Sequence, residues 1–191
     1  MNSIVRKLKE LDTPCLLIDL DRLKENIHVM QEYAAQVGVA VRPHCKTHKC
    51  SRIAKLQIEA GALGISAAKL SEAEVLIEQG IRNVLITSPI VSEPKLNRLA
   101  RCLEKAPKSL LVLDNPENAE ALNQLGQALS QPIQVLIDLD PGIGRTGIPP
   151  NAAIDFARLL QKKSWLQVQG VLSHNIPVDP MWTAKDNTRR T

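Results

Sequence analysis

The sequence predicts an α/β fold in which parallel strands alternate with helices, and three observations lead there. Short apolar runs recur at intervals of roughly twenty to thirty residues, the spacing of βα units. Each run gives way to a helical pattern, with glycine or proline where the period changes. No hairpin signal lies between successive runs. Parallel strands need long crossovers, which helices supply. A (β/α)8 barrel and an open doubly wound sheet both satisfy this pattern, and periodicity alone does not choose between them.

The elements follow in order. Cys15-Leu16-Leu17-Ile18-Asp19 is an apolar run after Thr13-Pro14 and reads as a strand. Asp21 is expected to cap a helix over 23–37, with Leu23, Ile27, Met30 and Ala34 on one buried face and Gly38 closing it. Residues 39–43 read as the next strand. Helices over 51–60, 70–79 and 93–105 then alternate with strands over 63–66, 83–87 and 109–113. Ser92 and Pro94 mark the start of the third of these helices. Asn115-Pro116 opens a helix to about 129, followed by a strand over 133–139, and Pro149-Pro150 opens another to 163, followed by a strand over 166–172. Counted from Val39, six strands are expected. The segment from Ser173 to Pro180 and the polar tail after it show neither period.

Composition bounds the function. Hydrophobic residues make up 44% and charged residues 23% of 191 positions, which fits one ordinary globular domain or the larger part of one. The net charge of +4 is spread along the chain, and only 42–52 is locally basic, without interleaved aromatics, so nucleic-acid binding is not indicated. Cys15, Cys45, Cys50 and Cys102 lack the spacing of a disulfide framework. No apolar run has signal-peptide or membrane-spanning length, and the expected compartment is cytoplasmic.

The stretch Arg42-Pro43-His44-Cys45-Lys46-Thr47-His48-Lys49 carries the chemistry. Alternation sends Arg42, His44 and Lys46 to one face at the carboxyl end of a strand. A solvated basic turn is one reading. A metal site built from His44, Cys45, His48 and Cys50 is another, but four ligands within seven consecutive residues would strain a tetrahedral shell. The third is a lysine that forms a Schiff base with a carbonyl cofactor, with Arg42 and Lys49 as neighbouring cations that help depress its pKa.

With Leu11-Asp12-Thr13-Pro14 and Ile18-Asp19-Leu20-Asp21 before it, this motif resembles the D-threonine aldolase and D-serine dehydratase family. That family belongs to the alanine-racemase-like, fold-type III enzymes that use pyridoxal phosphate. The resemblance selects the barrel and implies that Lys46 carries the cofactor. It implies an incomplete (β/α)8 barrel of about six units over 21–175, after an N-terminal segment, 1–20, whose strand would belong to a C-terminal β-domain the chain lacks. Residues 176–191 are expected to be an irregular tail.

Further residues take roles from the same resemblance. Arg145, in Asp138-Leu139-Asp140-Pro141-Gly142-Ile143-Gly144-Arg145-Thr146-Gly147, is placed near the cofactor's phenolic oxygen. A dinucleotide-binding reading of those glycines fails, because the helix-starting prolines come after the motif. His44 is expected beneath or beside the cofactor, and His174 at the barrel mouth. Thr87 and Ser88 end a strand; they are candidates to line the pocket, and loop capping is the favoured reading. The implied reaction is retro-aldol cleavage of a β-hydroxy-D-amino acid to glycine and an aldehyde. The alternatives are a D-serine dehydratase-like elimination, an inactive remnant that only binds the cofactor, and a small cofactor-carrying barrel of the pyridoxal-phosphate homeostasis type. Relatives also use a divalent metal, whose ligands are not found in this sequence. The partner implied is a small D-amino acid, with no nucleic acid and no membrane, and a homodimer is compatible with the resemblance.

Overall fold

The computed structural model describes residues 10–174 of the chain. Its elements are α1 Leu20–Gln36, α2 Ser51–Glu59, β1 Ile65–Ala67, α3 Leu70–Glu78, β2 Val84–Ile86, α4 Glu93–Lys105, β3 Leu110–Leu113, α5 Pro116–Ala128, β4 Ile133–Leu139, a 3-10 turn Pro150–Ala152, α6 Ala153–Gln161 and β5 Leu166–Ser173. The strands form one sheet in the order β1-β2-β3-β4-β5, and every neighbouring pair is parallel. A doubly wound sheet reverses strand order at a switch point. Here each crossover returns the chain to the adjacent strand, so the sheet is the arc of a barrel.

Sequence and burial explain the arc. All residues of β1 and β2 are buried, as expected of parallel strands covered on both faces. Ile65, Ile86, Leu113 and Ile133 pack in one core with Ile77 of α3, Leu99 and Leu103 of α4, Leu122 of α5 and Leu160 of α6. β5 instead alternates half-buried and exposed residues, because it has a strand partner on one side only among the described residues. Opposite Val135 and Leu136, β5 carries one extra residue, Gln169, just before Gly170 with φ 151°.

Several expectations need correction at the amino-terminal edge. Residues 15–19 pair with no strand among the described residues, and Leu16 is 99% exposed. Asp19, not Asp21, caps α1, because Asp19 has the extended backbone and its carboxylate accepts the Asp21 and Arg22 amides, both at 3.1 Å. Of the predicted buried face only Ala34 is buried, and Met30 is exposed. Residues 39–43 form no regular ladder. They reach β1 through Leu63 N to Val41 O at 2.8 Å and Ser66 N to Pro43 O at 2.8 Å, and Pro43 has no amide to continue the pattern. Among the described residues five strands therefore stand in the sheet, not six. The tail 176–191 and Asn175 lie outside the described residues.

Candidate active site

The carboxyl ends of the strands enclose a cleft of about 220 Å³, lined by all four residues singled out from the sequence: His44, Lys46, Arg145 and His174. This is the end at which barrel enzymes place their chemistry. Ser66 in β1, Ala68 after it, Thr87 after β2 and Asp138 in β4 also line it, with Arg42 and Thr146.

Lys46 stands on a turn after His44. The Cys45 amide donates to Ser66 O at 2.9 Å, and the Lys49 amide returns to Cys45 O at 2.7 Å. Lys46 is exposed, and its Nζ makes no hydrogen bond or salt bridge among the described residues. The two cations expected to act on it are otherwise engaged. Arg42 Nη1 donates to Asn83 Oδ1 at 2.9 Å and to Asn83 O at 3.2 Å, and Lys49 Nζ lies 3.6 Å from Glu72 Oε1. The metal reading of this stretch has no geometric support. His44 Nδ1 and His48 Nδ1 accept backbone amides, and Cys45 Sγ donates to Glu72, its thiol pushed up to about 11 chiefly by burial. Among the described residues no group of three or more His, Cys, Asp or Glu is placed to hold a metal ion.

A directed hydrogen-bond chain fixes His44. The Lys46 amide donates to Nδ1 at 3.3 Å, so the ring proton sits on Nε2, which faces Thr87 Oγ1 at 3.3 Å. Thr87 in turn donates to Ala67 O at 3.2 Å. Burial, then the charge of Lys46, holds His44 below its ordinary 6.5, with Arg145 and His174 acting in the same direction and Glu72 against it. A group whose folded pKa is depressed gives stability that is complete above its unfolded value and lost as pH falls through the folded one. The melting temperature should therefore drop as pH falls below the ordinary 6.5, and less steeply in His44→Gln. Thermal scans at descending pH check this. His48, also depressed by burial, accounts for slope that remains in the variant.

Arg145 is carried by a glycine-rich loop that organises itself around Asp140. The Asp140 carboxylate accepts the amides of Gly142 at 2.9 Å, Ile143 at 2.8 Å and Gly144 at 3.0 Å, contacts that hold it below the usual carboxylate range. No helix starts within the glycines, so the loop is not a dinucleotide fingerprint. Buried Asp138 accepts from Thr146 Oγ1 at 2.8 Å, and burial raises its pKa. The Gly147 amide reaches Asp114 Oδ2 at 3.3 Å, which ties the loop to the end of β3. His174 follows β5 directly and is exposed in the cleft. Ser88 Oγ donates to Ala68 O at 2.7 Å, the capping role expected for it, whereas Thr87 also faces the cleft.

Sequence reasoning did not single out Ser66, Thr146 or Glu72 as parts of the site. The usable signal was position. Ala68, Thr87, Asp114 and His174 each directly follow a strand, which in a parallel arc brings them to one rim.

A singly wound parallel sheet, with a lysine at its carboxyl rim that makes no hydrogen bond or salt bridge among the described residues, defines a barrel-type domain. The model of the alanine racemase N-terminal domain family matches residues 18–190, and the chain belongs to that family. A D-threonine aldolase from an Arthrobacter species is 38% identical over 150 residues, which are 77% of this chain and 38% of that protein. The D-serine dehydratase of Dictyostelium discoideum is 30% identical over 192 residues, 92% of this chain and 47% of that protein. The crystal structure of D-threonine aldolase from Filomicrobium marinum superposes with a TM-score of 0.82 at 34% identity, covering 86% of this chain and 44% of that one. The aldolase and dehydratase grouping expected from the motif is thus borne out, and the chain spans less than half the length of these relatives.

Proposed function

We propose that this chain supplies the cofactor-holding part of a pyridoxal-phosphate lyase acting on β-hydroxy-D-amino acids. The observation that carries the reading is the Lys46 amine, free of hydrogen bonds and salt bridges among the described residues and opening into a cleft shared with Arg145, His44 and His174. An aldehyde-bearing anion fits that donor set: one nucleophilic amine, with cationic or titratable donors around it. When bound, pyridoxal phosphate supplies an electron sink that stabilises negative charge at the substrate Cα.

The chain's own residues do the rest. Lys46 would hold the cofactor through its amine and would carry a proton to or from the substrate Cα. Arg145, by the resemblance, would hold negative charge on the cofactor's phenolic oxygen and so orient its ring. His44, its proton on Nε2, is fixed by its two neighbours and serves as a rigid wall. His174 closes the opposite side, at the end of β5. No step is assigned to a divalent metal, because the described residues offer no ligand group for one.

The reaction proposed is aldol cleavage, following the resemblance to D-threonine aldolase. Product analysis of the chain supplied with pyridoxal phosphate and a divalent cation tests it. Glycine and acetaldehyde should form from D-threonine and not from L-threonine. Pyruvate and ammonia from D-serine, with no glycine from D-threonine, would overturn the aldolase reading and establish the dehydratase one.

A further inference from the structure

Cys45 and Lys49 bracket the Lys46 turn, and both end on one carboxylate, that of Glu72 in the first turn of α3. Cys45 Sγ donates to Oε2 at 3.8 Å, Lys49 Nζ lies 3.6 Å from Oε1, and the Ala68 amide donates to Oε2 at 2.9 Å. The Glu72 side chain is 13% exposed, so it needs these partners, since a buried charge without them is costly. Burial raises its pKa, but the Ala68 amide and Lys49 outweigh this and leave the carboxyl below its ordinary range.

The turn itself needs a fastening. Lys49 has φ 48°, a left-handed conformation that costs an L-residue about 1–2 kcal/mol. The residue on each flank is therefore anchored, Cys45 also through its amide on Ser66 O, while the Lys46 side chain stays free.

We infer that Glu72 is a positioning residue: gripping Cys45 and Lys49 together, it holds Lys46-Thr47-His48 in the conformation that presents the Lys46 amine to the cleft. The consequence for catalysis rests on the cofactor reading above, whereas the clamp itself does not. Glu72 takes no part in lining the cleft. It joins the start of α3 and the end of β1 to the Lys46 turn, so the amine is registered against the sheet instead of against solvent.

The test compares the full 191-residue chain with Glu72→Ala, Glu72→Gln and Lys49→Met. Two readouts are taken, amide hydrogen exchange over peptides spanning the Lys46 turn, and the rate of pyridoxal-phosphate capture at Lys46 trapped by borohydride. In Glu72→Ala the turn should exchange about tenfold faster while β3 and β4 peptides match wild type, and capture should slow about tenfold. Glu72→Gln keeps one acceptor oxygen for the Ala68 amide and Cys45 but turns an NH2 donor towards Lys49, so it and Lys49→Met each remove the Lys49 arm and should fall between wild type and Glu72→Ala. Wild-type exchange in the turn together with a wild-type capture rate in Glu72→Ala would overturn the inference. If Glu72→Ala does not fold, wild-type behaviour of both milder variants overturns it equally. A wild-type chain that captures no cofactor at Lys46 defeats the cofactor reading, and the exchange measurement alone then decides the clamp.

Discussion

Lys46→Ala should lose retained pyridoxal phosphate by at least about a hundredfold, because among the described residues no second lysine lines the cleft. The fold should be indifferent to the change. The side chain is exposed and makes no hydrogen bond or salt bridge among the described residues, so its removal should change stability by less than about 0.5 kcal/mol. Gel filtration of the loaded protein followed by absorbance of the eluted cofactor reads the first effect, and a thermal melt of the same sample reads the second. A melting temperature lowered by more than about 5 °C would make Lys46 a structural residue and undercut its assignment.

The second large effect is structural and lies in the loop that carries Arg145. Gly147 has φ 103°, and a Cβ there would stand 2.6 Å from Asp140 N and 2.7 Å from Leu139 C. Neither neighbour can move freely, since Asp140 N donates to Ile148 O at 2.8 Å and Ile148 N donates to Asp138 O at 2.9 Å. Gly147→Ala combines backbone strain with overpacking against main chain and should cost roughly 3 kcal/mol, or about 6–12 °C in melting temperature. Gly142→Ala is the control: φ is 99° there, but nothing lies within 4 Å of the added carbon. It should cost only about 1 kcal/mol. Equal losses in the two variants would show that the close approach at Gly147 is not the controlling term.

The fold was legible wherever local chemistry and tertiary packing agree. The bounds of α4 came out as expected, 93–105, because Ser92 and Pro94 mark its entry and the apolar spacing stops with it. Asn115 caps α5 through Asn118 N at 2.7 Å, as the Asn-Pro pair suggested. Expectations failed where the outcome depends on a neighbour. Residues 15–19 are apolar enough for a strand, yet a strand exists only with a partner to pair with. Residues 39–43 have a partner in β1 but lack the amide of Pro43.

The site divides the same way. Lys46 and Arg145 were both visible through the family resemblance, Lys46 in a contiguous motif and Arg145 in a loop similar to the family's. Glu72 and Ser66 were not, because their contacts to the Lys46 turn span 27 and 21 residues of sequence and arise only once the parallel register is set. Alternation placed Arg42 correctly on the cleft side, but its guanidinium donates to Asn83, a partner that no pattern along the chain reveals.

The most direct measurement of the central claim is where pyridoxal phosphate attaches. Wild-type protein and Lys46→Ala are each loaded, reduced with borohydride, digested and mapped by peptide mass. The account predicts label confined to the peptide containing Lys46 in wild type and absent from the variant. Label spread over surface lysines, or equal in both proteins, would contradict it and leave the cleft without its cofactor.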